Sequence, residues 1–275
     1  LRRARTHRSF VLGGVLTGCL LVLTALSLIW TPHPTATIDI AGKLAAPSAT
    51  HWLGTDSLGR DIVSQLLVGA QNSVAAGIIA VGIGLVLGVA AGCLAAARGG
   101  WVDELVMRAA DFTFAFPALL TAILLTAIYG PGLVMSVVAI GIFNVPVFAR
   151  LSRASARVVW SRDYVTAARA AGKGALQITR DHVLPNIAPV LIVQATVSFA
   201  TAILAEAALS YLGLGTQPPQ PSWGRMLNEA QTLMFQAPWL AVYPGAAIAA
   251  SVLGLNLLGD GLRDLLDPRL VRREG

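Results

Sequence analysis

Long apolar runs alternate with short polar stretches along most of the chain. A helix rising about 1.5 Å per residue needs about 20 residues to cross a hydrocarbon core of about 30 Å. Six segments meet or approach that length: 10–30, 74–97, 112–129, 133–149, 187–209 and 239–258. Two are marginal, because 133–149 is short and carries Asn144 and Pro146, and 187–209 carries Glu206, the one acidic residue inside a span. Tyr129-Gly130-Pro131-Gly132 leaves almost no loop between the third and fourth runs, and turn chemistry of that kind suits a tight helical hairpin. The pattern predicts an all-α membrane protein with six transmembrane helices.

Composition supports lipid as the solvent. Of 275 residues 55% are hydrophobic and 12% charged, and the mean hydropathy is +0.69. Soluble domains carry about 25% charged residues. The net charge of +6 and a pI near 10.0 raise nucleic acid as a partner, and the placement of the charge argues against it. With a cytoplasmic N-terminus, only Lys43, Arg60 and Arg225 fall outside the membrane. The other 17 of the 20 basic residues fall inside, as the positive-inside rule requires. Both termini are therefore expected in the cytoplasm. Arg2–Arg8 followed by an apolar run also resembles a signal peptide, but the run is long and ends at Trp30-Thr31-Pro32 without a small-residue cleavage site. An uncleaved first helix is expected, with further residues upstream of Leu1. Cys19 and Cys93 sit in apolar runs and read as small apolar residues.

The organisation expected is an N-terminal tail, first helix and external segment over 1–72, a five-helix core over 73–262 and a cytoplasmic tail over 263–275. The core holds a charged cytoplasmic loop at 162–186, which includes DYVTAARAAGKGALQITRDHVLPN from Asp163 onward. Alanines and alternating charge favour a helix up to Ala171. Gly172-Lys173-Gly174 breaks it, since glycine tolerates the positive φ that ends helices. A second short helix follows and is expected to stop at Pro185. Alanine and glycine at the elbow allow another protein surface to approach closely. The plainer reading is an amphipathic helix lying on anionic lipid.

The spacing in this loop resembles the "EAA" loop of bacterial ABC importer permeases: Glu-Ala-Ala, three residues, Gly, nine residues, Ile-x-Leu-Pro. Ala167, Ala168, Gly172, Leu184 and Pro185 fit, whereas Thr166 replaces the usual Glu and His182 the usual Ile. Asp181-His182-Val183-Leu184-Pro185-Asn186 is similar to the peptide and nickel branch. Two further stretches resemble dipeptide/oligopeptide permease subunits of the DppC/OppC type. One is Trp52-Leu53-Gly54-Thr55-Asp56-Ser57-Leu58-Gly59-Arg60-Asp61, and the other runs from Glu206 to Gly215 and on through Gln217-Pro218-Pro219 and Pro221-Ser222-Trp223-Gly224.

The resemblance implies the type I ABC importer permease fold and a place in the bacterial cytoplasmic membrane. It implies a homologous second permease subunit, one or two ABC ATPase subunits and an extracytoplasmic peptide-binding protein. Cargo would be di- or oligopeptides, with nickel or glutathione as the alternative. ATPase coupling would fall on Asp163, Tyr164, Thr166, Ala167, Ala168, Gly172, His182, Leu184 and Pro185. ATP and Mg would be bound by the partner ATPases, with no cofactor on this chain.

Read from the residues alone, Asp56, Arg60 and Asp61 make either a local ion-paired turn that orients the second span or a substrate contact. The stretch after Glu206 reads as a lid on the bundle, where the resemblance instead implies a contact for the binding protein. Glu206 either faces a cavity or partner, as costly intramembrane charges do, or serves helix packing. Asn144 and Pro146 either kink the fourth span and line the pathway or pack internally. Gly84, Gly88 and Gly92 on the second span, and Gly14 and Gly18 on the first, offer smooth faces for close helix packing within the bundle or against a partner. His7, His33, His51 and His182 are scattered without metal-ligand spacing, and no metal site is expected. A Gly-x-x-x-x-Gly-Lys-Ser/Thr phosphate loop is absent from the sequence, so the chain is expected to be a non-catalytic subunit. An ion-coupled secondary transporter is the rival from another class, and Glu206 would be its only charge inside a span.

Overall fold

The computed structural model describes residues 8–266. The expectations for His7, for Arg2, Arg3 and Arg5, and for Arg269, Arg272 and Arg273 lie outside the described residues. Within them the regular secondary structure is helical, apart from one isolated antiparallel bridge between Thr55 and Asp61, and 30–61 is mostly irregular.

The helices are α1 (Arg8–Ile29), α2 (Ile62–Arg98), α3 (Gly100–Ala115), α4 (Ala118–Tyr129), α5 (Leu133–Trp160), α6 (Asp163–Ala170), α7 (Ala175–Ile178), α8 (Leu184–Tyr211), α9 (Trp223–Ala230) and α10 (Trp239–Leu266). Among the described residues, five helical runs are long and apolar enough to cross a membrane, or six if the bent pair α3–α4 forms one span. The third span is therefore not the single helix expected over 112–129. Phe116 is extended and Pro117 precedes α4, so α3 and α4 meet at 82°. Proline lacks the N–H that would continue the ladder and forces the preceding residue out of the helical region.

The boundary expected at 72/73 falls inside α2, whose 37 residues make a rod of about 55 Å. That exceeds a hydrocarbon core of about 30 Å, so the helix projects beyond it. The boundary at 262/263 likewise falls inside α10, which continues to Leu266.

The most extensive helix contact is between α2 and α5. Gly84, Gly88 and Gly92 all point into it. An added Cβ would collide with Asn144 at Gly84, with Val145 and Phe148 at Gly88, and with Ser152 and Ala149 at Gly92. The glycine face thus packs within the bundle. The first-span pair behaves differently, because Gly14 and Gly18 face open space. Close approach of α1 to α10 runs instead through Gly13 against Leu257 and Leu258, Gly254 against Leu16, and Gly261 against Phe10. Cys19 and Cys93 are free thiols.

At the end of the α2–α5 seam, Asp103 of α3 binds Arg153 and Arg157 of α5, with the Arg157 Nη2 to Asp103 Oδ2 distance at 2.6 Å. Arg150 pairs with Asp111 and lies over the Phe114 ring at 4.5 Å. These contacts fasten α3 to α5 beside the point where α5 leads into the 162–186 loop.

A Gly88→Val substitution is expected to destabilise the chain by at least the about 1–3 kcal/mol of overpacking, because the obstacle is backbone as well as side chain. Gly14→Val should be close to neutral. Thermal unfolding of the purified proteins in detergent checks this, and equal melting of the two variants would contradict the packing assignment.

Candidate functional site

Two regions carry the residues singled out in the sequence, one at each end of the bundle. The first is the elbow at 162–186. Helix α6 ends in a hydrogen-bonded reversal in which Gly172 N–H donates to Arg169 C=O at 2.9 Å and Lys173 N–H donates to Ala168 C=O at 3.1 Å. That pairing is the Schellman motif, which needs a left-handed residue after the cap. Gly172 supplies it with φ 83°. A Cβ there would meet open space, so the glycine is required by its backbone angle and leaves room for an approaching surface.

The elbow is bolted to the bundle along one side. Val165, Ile178 and Val183 are buried in a cluster with Trp160 and Ile187. Arg169 covers the Trp160 ring at 4.7 Å. The other side is open. Asp163, Tyr164, Thr166, Ala167, Gly172, Leu184 and Pro185 are exposed, Ala168 and His182 are half-buried, and Leu176 is 84% exposed. Side chains from its two arms meet: Tyr164 and His182 have ring centroids 5.9 Å apart. Lys173 Nζ lies 3.3 Å from Asp181 Oδ2 and 3.5 Å from His182 Nε2. His182 therefore joins the two arms of the elbow.

Pro185 does not stop the second arm. Residues Thr179–Val183 form a π turn that carries α7 directly into α8, giving one apolar helical run from Ala175 to Tyr211. Leu184 N–H bonds to Thr179 C=O, five residues back. Pro185 falls in the first turn of α8, where a missing donor is tolerated. Beside this run, an open apolar groove of about 930 Å³ is lined by Leu85, Val89 and Cys93 of α2 and by Leu176, Leu184 and Leu191.

The second region lies at the opposite ends of α2 and α8, where the two other sequence signatures come together. Asp56 accepts hydrogen bonds from Leu58 N (2.8 Å), Arg60 N (2.9 Å), Arg60 Nε (2.6 Å) and Gln65 Nε2 (2.7 Å). Arg60, 6% exposed, also donates to Glu229 of α9 at 2.6 Å, and Arg225 donates to the other Glu229 oxygen at 2.8 Å. Asp61 caps α2 by accepting from Ser64 N at 2.8 Å. Trp223 Nε1 donates to Leu66 C=O at 3.0 Å, and Asn72 Nδ2 to Pro221 C=O at 2.7 Å. The ion-paired turn read from the sequence is present, and it is clamped to a helix far along the chain. Glu229 and Arg225 were missed. The usable signal was Arg60 itself, whose fork of donors exceeds what Asp56 alone can occupy.

Glu206 is completely buried. Its carboxylate accepts from Ser73 of α2 (3.0 Å), Ser210 (2.7 Å) and Thr216 (3.3 Å). With no exposed surface it reaches no cavity within the subunit, and it ties α8 to α2 and to the loop that follows α8. Asn144 is also buried at the α2–α5 seam, donating to Ile140 C=O at 3.0 Å. Both residues placed on a substrate pathway thus face the interior of the subunit. Two of the histidines read as scattered come together: ligand atoms of His33, His51 and Asp61 all lie within 4.8 Å of one another.

Residues 84–272 match the family described as "Binding-protein-dependent transport system inner membrane component". The chain belongs to that family. Among the inner membrane components it resembles is the glutathione transport system permease protein GsiD of Pectobacterium atrosepticum, 47% identical over 82% of this chain and 74% of that protein. The dipeptide transport system permease protein DppC of Alkalihalophilus pseudofirmus is 39% identical over 98% of this chain and 88% of that one. The inward-facing MetNI methionine ABC transporter has a chain of similar fold, with a TM-score of 0.61 at 19% identity, covering 74% of this chain and 96% of that chain. The type I importer fold and the DppC/OppC-like resemblance read from the motifs are both borne out. This inner membrane component is thus a multi-pass permease subunit of an ABC importer.

Glu206→Ala would leave buried hydroxyls without their acceptor, at about 1–3 kcal/mol for each orphaned group. It should lower the unfolding temperature clearly, and Glu206→Gln, which keeps an acceptor, should lower it less. Arg60→Ala and Glu229→Ala should be strongly non-additive in a double-mutant cycle. Additive losses would contradict the clamp.

Proposed function

We propose that the chain forms half of the translocation pathway of an ATP-driven importer of short peptides and that its elbow receives the ATPase. The observation that carries this is the two-sided construction of the elbow. Val165, Ile178 and Val183 are buried in the bundle, while Tyr164, Thr166, Ala167, Gly172 and Leu176 are open to a partner. A push on the open side would pass through the buried side into α5 and α8, because both leave the elbow without a long flexible linker. Alternating access of this kind needs rigid elements joined at a few yielding points.

In this reading both chain termini lie in the cytoplasm, along with the elbow. A second, homologous permease would complete the pathway, one or two ATPase chains would bind ATP and Mg, and an extracytoplasmic binding protein would deliver cargo to the face formed by 52–72 and 213–229. The chain itself carries out no catalysis. Dipeptides and glutathione, the cargoes in the names of the relatives, are both short peptides, and this shared chemistry favours a peptide over a nickel chelate.

Gly172→Val would force a β-branched residue into a left-handed conformation, at about 1–2 kcal/mol, and place bulk on the open side of the elbow. Cells lacking the chain and complemented with this variant should take up labelled dipeptide and glutathione at less than a tenth of the wild-type rate, with membrane levels of the chain retained. Uptake at the wild-type rate would remove the coupling role. Failure of the wild-type chain to restore either uptake would remove the peptide cargo.

A further inference from the structure

We infer that His33, His51 and Asp61 form a binding site for a borderline divalent transition-metal cation of the zinc, nickel or copper class, a clasp across the segment that joins α1 to α2. The ligand atoms of the three residues come from positions spread over 29 residues of sequence, yet all lie within 4.8 Å of one another. The imidazole rings are 4.5 Å apart between centroids, and His51 Nδ1 is 3.0 Å from Asp61 Oδ1. Two imidazoles and one carboxylate are the donor set that zinc-class cations accept, with a fourth position left for water.

The surrounding contacts orient the ligands. The His33 ring nitrogen Nε2 lies 2.8 Å from Thr50 C=O. A carbonyl only accepts, so Nε2 carries the proton and Nδ1 keeps its lone pair, as metal-binding histidines arranged by a backbone carbonyl do. The His33 backbone N–H donates to Ser64 Oγ at 2.9 Å, which fixes the start of the segment against α2. Asp61 divides its work between its two oxygens. Oδ2 holds the α2 cap through Ser64 N and Ser64 Oγ, both at 2.8 Å, and Oδ1 faces His51. A cation on Oδ1 leaves the cap intact. The adjacent Arg60 does not compete for Asp61, because its guanidinium is engaged by Asp56 and Glu229.

A tetrahedral ion at about 2.0–2.1 Å from its ligands needs donors about 3.3 Å apart. The half-buried rings of His33 and His51 must therefore close by up to about 1.5 Å from separations within 4.8 Å, and His51 must shift its ring proton to Nε2. Asp61, 2% exposed and held by Ser64, is the fixed point on which they close. Occupancy would pin residue 33 to residue 61, next to the Arg60–Glu229 clamp, and so stiffen the whole face.

The test uses the importer purified without an affinity tag, stripped with chelator and titrated with Zn²⁺ by calorimetry. The wild type should take up one zinc ion for each copy of this chain. His33→Gln combined with His51→Gln should weaken binding at least tenfold. Asp61→Asn retains a capping acceptor and should also weaken it at least tenfold. Zinc should raise the unfolding temperature of the wild type and slow amide exchange over 33–61, and it should do neither in the variants. Absence of saturable binding to the wild type, or undiminished binding to the double-histidine variant, would overturn the site. A variant that melts below the wild type in chelator is set aside for the other. This test is independent of cargo and of ATPase docking.

Discussion

The close approach of α2 and α5 is the constraint on which the other features rest. In a bilayer the tails are as apolar as the side chains, so helices gain little from hiding apolar surface and associate through tight packing and interhelical polar contacts. Gly84, Gly88 and Gly92 give α2 a groove deep enough to take Asn144, Phe148 and Ser152 of α5. With the two backbones this near, Asp103 meets Arg153 and Arg157 at one end. The position of α5 in turn fixes Trp160, against which the elbow is built.

Helix α8 then connects the two ends of the molecule. Through the π turn at Thr179–Val183 it continues the second arm of the elbow, and close to its other end Glu206 bonds to Ser73 of α2. Burying a carboxylate there is costly, and three hydroxyl donors offset part of that cost. The arrangement suits a lever: one end is attached to a surface open to a partner, and the other is locked into the face where the 52–72 and 213–229 segments converge. Exposed pairs such as Arg108–Glu104, at 76% and 62% side-chain exposure, contribute about 1 kcal/mol or less. The buried Asp56–Arg60 pair, which half-buried Glu229 extends, is the kind whose disruption costs about 3–5 kcal/mol.

What could be read from the sequence depended on whether the signal was local. The glycine stripe on α2 was legible because four-residue spacing places all three on one helix face. The Gly14–Gly18 pair had the same spacing and faced open space, since spacing cannot say which face meets a neighbour. Gly172 was legible because a helix end followed by a lysine and a second glycine leaves few alternatives to a left-handed cap. Pro185 was misread as a stop, because a π turn depends on a hydrogen-bond register that composition does not encode. The break at Phe116-Pro117 had a plain local signal in the proline, outweighed by the apolar length around it. Arg60 signalled that it needed a second partner, but the identity of that partner, Glu229, and the His33–His51–Asp61 group were not legible, for they depend on how an irregular segment folds back over α2.

The central claim is that the elbow is a docking surface held rigidly to the bundle. The most direct measurement is purification of the tagged chain from its native membrane in mild detergent, with co-purifying proteins identified by mass spectrometry. Stoichiometric ATPase and a second permease in the wild-type sample, with the ATPase lost selectively when Leu176→Glu alters the exposed tip, is the result the account predicts. A chain that reproducibly emerges alone, or an ATPase that remains fully bound to the Leu176→Glu variant, would contradict it.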